Sequence, residues 1–192
     1  QAGADVCRLV KKAGARLFLD LKFHDIPNTV HGAVRSAVDL DADMLTLHVS
    51  GGRAMLEAAV RAREEAGKPG VLLVGVTVLT HFTFEDFQSL FASERSSRDT
   101  IVAMAGLARA AGLDGVVASA LEAPVVKREV DSELIVVTPG IRLDRTVDDQ
   151  ARVTTPREAV RNGADYLVVG RPVIAAADPA GACKRILDDI SS

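Results

Sequence analysis

The segment FLDLKFHDIPNTV, residues 18–30, decides how the rest of the chain is read. Its first half alternates in character, and on a strand side chains two apart share a face. Asp20 and Lys22 are therefore expected to point one way, with Leu19, Leu21 and Phe23 on the other side. Asp25 stands just past the strand end, Pro27 stops the extended run, and Asn28 or Thr29 is expected to cap the helix that follows. The stretch thus predicts a strand that feeds a helix, with an Asp, Lys, Asp array at its C-terminal end. Such an array can be an internal ion-pair network or a piece of chemistry. Buried charges are costly unless paired, and functional charges gather at strand C-terminal ends in α/β folds, so the functional reading leads.

The same unit recurs outward from this segment. Short runs of Val, Leu and Ile follow helical stretches at RLFLDLKF (16–23), DMLTLHVS (43–50), VLLVGVTVLT (71–80), DGVVAS (114–119), ELIVVTPG (133–140) and DYLVVGRP (165–172). Their near-continuous apolarity suits parallel strands buried on both faces. Amphipathic helices are predicted between them at 29–39, 52–66, 98–111, 121–129, 155–162 and 178–188, after an initial helical stretch in QAGADVCRLVKKAG. Gly112 and Gly163 stand where a helix ends in positive φ before the next strand. Alternating strand and helix is the pattern of an α/β fold built from right-handed crossovers.

Two architectures compete. An open dinucleotide-binding sheet should carry G-x-G-x-x-G after its first strand, and that loop does not occur. Polar residues instead end nearly every strand: Asp20 and Lys22, His48, Thr77 and Thr80, Ser119, Thr138, and Gly170 with Arg171. A (β/α)8 TIM barrel builds its site from that rim. The expectation is a single barrel domain over residues 1–192. Barrels of this type have eight strands and roughly 250 residues, so with six strands predicted here the first two are expected to precede Gln1.

Composition agrees with one buried core, at 48% hydrophobic and 26% charged residues over 192 positions. A formal net charge of −3 without a basic block removes the usual electrostatic basis for binding nucleic acid or an anionic membrane. The longest apolar run is far shorter than the roughly 18–20 residues of a membrane span. Cys7 and Cys183 match no paired metal or redox spacing, and no secretory signal pattern is visible. A reducing, cytoplasmic setting and a partner that is a small molecule or another protein are expected, with both cysteines read as small buried apolar residues.

DLKFHDIPNTV, TLHVSGGRAML, VTVLT, TPGIR and GADYLVVGRP occur in the order found in bacterial orotidine 5′-phosphate decarboxylases, and the resemblance covers essentially the whole chain. D-x-K-x-x-D alone is shared with other phosphate-binding barrels; the I-P-N-T that follows it and the distant T-P-G-I-R and V-G-R-P make the resemblance specific. It implies decarboxylation of orotidine 5′-monophosphate (OMP) to UMP, without metal or organic cofactor, by a homodimer with active sites at the subunit interface. It further implies that Lys22 is the catalytic lysine, that Asp20 lies near the substrate carboxylate and holds Lys22, that Asp25 reaches the partner's site, and that Thr29 contacts the ribose. Thr80 resembles the base-contacting residue, with His81 where Ser is more usual, and Pro139 packs beside the base. Arg142, Gln150, Gly170 and Arg171 resemble the phosphate contacts. By the same resemblance, an Asp and a Lys come from strands absent from this chain.

His48 is read as a supporting hydrogen-bonding residue, His24 and His31 as surface or interface residues, and Phe82, Phe84, Phe87 and Phe91 as packing of a short helix. Two rivals remain. One is a magnesium-dependent sugar-phosphate decarboxylase or aldolase of the same wider group, against which His24 and Ile26 to Thr29 argue. The other is an incomplete barrel that binds nucleotide or self-associates without turnover.

Overall fold

The computed structural model describes residues 3–79, 88–89, 96–143 and 154–192. Thr80, His81, Phe82, Phe84, Phe87, Phe91 and Gln150 lie outside the described residues. Among the described residues, six parallel strands alternate with helices, as the apolar runs predict. The elements are α1 (Ala4–Lys12), β1 (Phe18–Phe23), α2 (Pro27–Asp39), β2 (Met44–His48), α3 (Gly52–Glu65), β3 (Leu72–Val76), α4 (Ser97–Ala110), β4 (Gly115–Val117), α5 (Ala123–Glu129), β5 (Ile135–Thr138), α6 (Pro156–Arg161), β6 (Tyr166–Leu167), α7 (Arg171–Ile174) and α8 (Pro179–Ser191).

The chain divides into two compact units, residues 1–77 with 104–116, and residues 78–103 with 117–192. In the first, β1, β2 and β3 pair in chain order, Met44 opposite both Phe18 and Leu72, and β4 follows. Leu45, Leu47, Met55, Leu56, Leu73 and Val34 are fully buried there, and α2 packs against α3. Gly75 interrupts the apolar run of β3 for a steric reason. A Cβ at this position would fall 2.5 Å from Val49 Cγ2 and 3.1 Å from Leu113 Cδ2, so only glycine lets the helix side approach. In the second unit β5 pairs with β6, Val137 opposite Tyr166, and Ala120, Ile141, Ala159 and Ala164 pack with Leu167 and Val169. A capping box starts α6: Thr155 Oγ1 accepts from Glu158 N while Glu158 Oε2 accepts from Thr155 N.

One device repeats in both units and explains the Asp that precedes three of the strands. Asp43 Oδ2 accepts the Leu17 N–H at 2.6 Å and the Lys11 ammonium at 2.9 Å. Asp114 Oδ2 accepts the Leu73 N–H at 2.8 Å and the Arg63 guanidinium at 2.5 Å. Asp165 Oδ2 accepts the Val136 N–H at 2.7 Å and pairs with Lys127 at 2.8 Å. Each carboxylate satisfies an N–H within one residue of the start of the preceding strand and a cation from a helix, pinning the entrance to the parallel pair. The Leu17 N–H, and then Lys11, hold the Asp43 carboxyl below the ordinary carboxylate range. The Asp114 pair is the most buried of the three, with the Arg63 side chain only 9% exposed. Asp114→Ala leaves the Leu73 N–H without its acceptor and the guanidinium with Val71 O but no carboxylate, and is expected to cost about 2–4 kcal/mol in urea denaturation. Asp114→Asn, which keeps an acceptor, should cost less; equal costs would assign the effect to packing.

Three expectations are corrected. β1 is not buried on both faces: Leu21 is 52% exposed and Phe18 36%, because among the described residues β1 pairs with β2 alone. The cap of α2 is Ile26, not Asn28 or Thr29; Pro27 takes the first helical position, where its missing N–H costs nothing, and holds Ile26 extended at φ −60°, ψ 153°. Cys7 is buried as expected, but Cys183 is exposed on α8. Gly112 and Gly163 do take positive φ, at 90° and 94°.

Candidate active site

In the first unit, β1, β2 and β3 run parallel, so their C-terminal ends share one side, and the polar residues predicted to end them do so. Asp20 and Lys22 lie in β1, His48 is the last residue of β2, and Thr77 follows β3. Lys22 Nζ donates to Asp20 Oδ2 at 2.5 Å. The expected side-by-side pair is therefore formed, with both side chains a little under half exposed.

It is not formed by regular strand alternation. Leu19 faces Leu45 and Phe23 faces Leu47, so three residues of β1 span the place of Thr46 alone on β2. Lys22 sits at φ 49°, in the left-handed region that favours glycine. A bulge that re-aims side chains next to a site is a known use of this irregularity. Its contents here are the charged pair and one hydroxyl: Thr46 Oγ1 accepts the Lys22 backbone N–H at 2.9 Å and donates to Asp20 Oδ1 at 2.9 Å. Sequence reading passed over Thr46. The available signal was a lone polar residue in MLTLH, two positions before His48 and so on the same face.

Asp25 follows β1, exposed, with Oδ1 accepting the Ile26 N–H at 2.6 Å. Thr29 is exposed in the first turn of α2. His24 and His48 stack obliquely with ring centroids 5.2 Å apart, and Ser50 Oγ lies 3.5 Å from His24 Nε2. His31 pairs with Glu65 at 3.0 Å, a surface role as expected.

Burial holds the His48 imidazole below its ordinary value of 6.5, and the electrostatic influence of His24 and Lys22 pushes the same way against Asp20. A lowered value in the folded state means that the unfolded chain binds more protons in the window just below 6.5. Stability should therefore fall as pH drops through that window. His48→Gln is expected to flatten this part of the profile, read by thermal unfolding between neutral and mildly acidic pH; an unchanged slope assigns the loss to other groups.

In the second unit, Thr138 ends β5 and Pro139 and Gly140 turn the chain, Gly140 at φ 79°. Arg142 follows, its backbone N–H bonded to Thr154 O at 3.1 Å and its guanidinium to Ile141 O at 2.9 Å. Gly170 is the N-cap of the single-turn α7 and Arg171 its first residue, both exposed. TPGIR and VGRP thus both stand just beyond C-terminal strand ends, the positions from which α/β proteins take their ligand contacts. The Asp20, Lys22, Asp25 and Thr29 group belongs to the first unit and the Pro139, Arg142, Gly170 and Arg171 group to the second.

Residues 1–186 match the family model of the orotidine 5′-phosphate decarboxylase / HUMPS family. The chain is 48% identical to the protein named orotidine 5′-phosphate decarboxylase in Moorella thermoacetica, covering 98% of this chain and 77% of that one. Its identity to the protein of that name in Teredinibacter turnerae is 46%, covering 98% and 81%. Among solved structures it is similar to the orotidine 5′-phosphate decarboxylase of Lactobacillus acidophilus, with a TM-score of 0.86 at 31% identity, covering 99% of this chain and 82% of that one. It is equally similar, with a TM-score of 0.85 at 34% identity, to an uncharacterised conserved protein of Geobacillus kaustophilus, covering 98% and 82%.

Proposed function

The chain belongs to the orotidine 5′-phosphate decarboxylase / HUMPS family, and on that premise we propose that it converts OMP to UMP and carbon dioxide as a carboxy-lyase of pyrimidine synthesis. The observation that carries the chemistry is the Lys22–Asp20 contact at 2.5 Å on the family's D-x-K-x-x-D motif. The C6–carboxylate bond of OMP breaks, and carbon dioxide leaves without the bonding electrons. The pair stays on C6, and a proton passes from the Lys22 ammonium to that carbon. The amine left behind is reprotonated from water. A fixed ammonium stabilises charge developing at C6 more than water does, because it needs no reorganisation during the step. Asp20 holds the ammonium and places a carboxylate beside the substrate's own.

The remaining assignments follow the family motif. Thr29 takes the ribose, Thr80 and Pro139 the base, and Arg142, Gln150, Gly170 and Arg171 the 5′-phosphate. Asp25, exposed after β1, is supplied to the site of a second copy in a homodimer. The organisation that fits the alternation of parallel strands and helices is a single (β/α) barrel domain over residues 1–192, built on the six strands described, acting in the cytoplasm on a free nucleotide. Among the described residues no helix is long and apolar enough to cross a membrane. A non-catalytic nucleotide binder is the less favoured reading, since the relatives carry the decarboxylase name over nearly the whole of this chain.

The test is incubation of the purified protein with OMP in the presence of a chelator, with UMP and released carbon dioxide measured. Equimolar products are expected. Turnover that stops with the chelator and returns with magnesium, or activity on sugar phosphates alone, would favour the metal-dependent branch of the wider group.

A further inference from the structure

We propose that Thr46 is the positioning residue of the Lys22 ammonium, holding the strained β1 bulge in the one conformation that aims Lys22 and Asp20 together. The inference rests on the decarboxylase reading above. Its own ground is a closed circuit of three contacts. Lys22 N–H donates to Thr46 Oγ1 at 2.9 Å, Thr46 Oγ1 donates to Asp20 Oδ1 at 2.9 Å, and Asp20 Oδ2 accepts from Lys22 Nζ at 2.5 Å. One hydroxyl thus fixes the backbone of the lysine and the carboxylate that steers its side chain.

Burial and strain make that hydroxyl matter. Lys22 and Asp20 are both exposed by about two fifths or more, and on their own would sample many rotamers, whereas Thr46 is fully buried in β2. A β-branched side chain on a central strand has little χ1 freedom, so it serves as a rigid post for the two mobile ones. A lysine at φ 49° is held against its own preference. Such a conformation persists only when the surroundings over-determine it. Between the register points at Leu19 and Phe23, Thr46 is the lone residue of β2 opposite the bulge. A threonine there supplies at once an acceptor for the N–H that leaves the ladder and a donor for the carboxylate. Valine has the same shape and can do neither.

Because Thr46 acts through Lys22 and Asp20, its loss should lower the rate of the chemical step and leave nucleotide affinity in place. The experiment compares the parent, Thr46→Val and Thr46→Ser in the full protein, reading kcat and KM for OMP, affinity for UMP, and circular dichroism. The expected result for Thr46→Val is a fall in kcat of about 10- to 100-fold, the effect of losing a hydrogen bond to a charged group. KM and UMP affinity should stay within about threefold, and Thr46→Ser, which restores the hydroxyl, within about threefold of the parent in kcat. Parent-like kcat in Thr46→Val overturns the inference, as does an equal loss in Thr46→Ser, which would assign the effect to packing. If Thr46→Val does not fold, Thr46→Ala against Thr46→Ser carries the same comparison: retained activity in Ser alone supports the inference and equal activity overturns it. A parent that turns over OMP while Thr46→Val matches it defeats this inference alone; a folded parent that binds UMP but has no turnover defeats the reading of function, and this inference with it.

Discussion

Lys22→Ala is expected to abolish decarboxylation, lowering kcat by at least about 1,000-fold while UMP affinity changes by less than about tenfold. The asymmetry follows from where the ammonium acts. In the ground state Lys22 is already satisfied by Asp20 at 2.5 Å, so removing it takes little from nucleotide binding. In the transition state electron density collects on C6, and the ammonium is both the nearest compensating charge and the source of the proton. An interaction realised mainly in the transition state appears in kcat rather than in affinity. Turnover and UMP affinity measured on the same preparation check it. Turnover surviving within about tenfold would show that another group supplies the proton. Lys22→Arg should not rescue activity, because a guanidinium remains protonated and its fork does not fit the place of a point charge.

Arg171→Ala is expected to weaken UMP binding by about 100-fold and leave uridine binding nearly unchanged, since a guanidinium holds phosphate through charge-assisted, often bidentate hydrogen bonds. Arg171 opens the single-turn helix α7 immediately after Gly170, the N-cap, so its backbone stands at the helix start that follows β6. Turnover of OMP should fall as well, because binding energy from the phosphate supports the reaction at the ring. Calorimetric titration with UMP and with uridine separates the outcomes. Equal losses for both would place Arg171 away from the phosphate.

The alternation of strand and helix was legible in the sequence because apolar runs bounded by Gly and Asp report burial directly. β2 and β3, buried along nearly their whole length, are the clearest cases. The Asp20–Lys22 pair was legible from spacing alone, though for a partly wrong reason. A period of two assumes an unbroken register, and the pair meets instead across a bulge with Lys22 at φ 49°. No local residue preference announces a lysine in that conformation; it is imposed by the partner strand. Thr46 stayed hidden for a related reason, since a threonine inside a strand reads first as β-propensity. Its hydroxyl acquires meaning only when the bulge brings an N–H and a carboxylate to it. The cap of α2 was misread because Asn and Thr favour caps, while Pro27 already fixes the helix start one residue earlier. The exposure of β1 depends on which strands pair with it, which the composition of FLDLKF does not state.

The central claim is that the Lys22 ammonium meets C6 of the bound pyrimidine and stabilises carbanion character there. The most direct measurement is exchange of the C6 hydrogen of UMP in deuterated water, followed by proton NMR, since the group that protonates C6 in the forward direction must also remove that proton in reverse. The account predicts measurable exchange with the parent protein, and none with Lys22→Ala at concentrations of UMP that saturate it. Exchange at the parent rate in a Lys22→Ala protein that still binds UMP would contradict it.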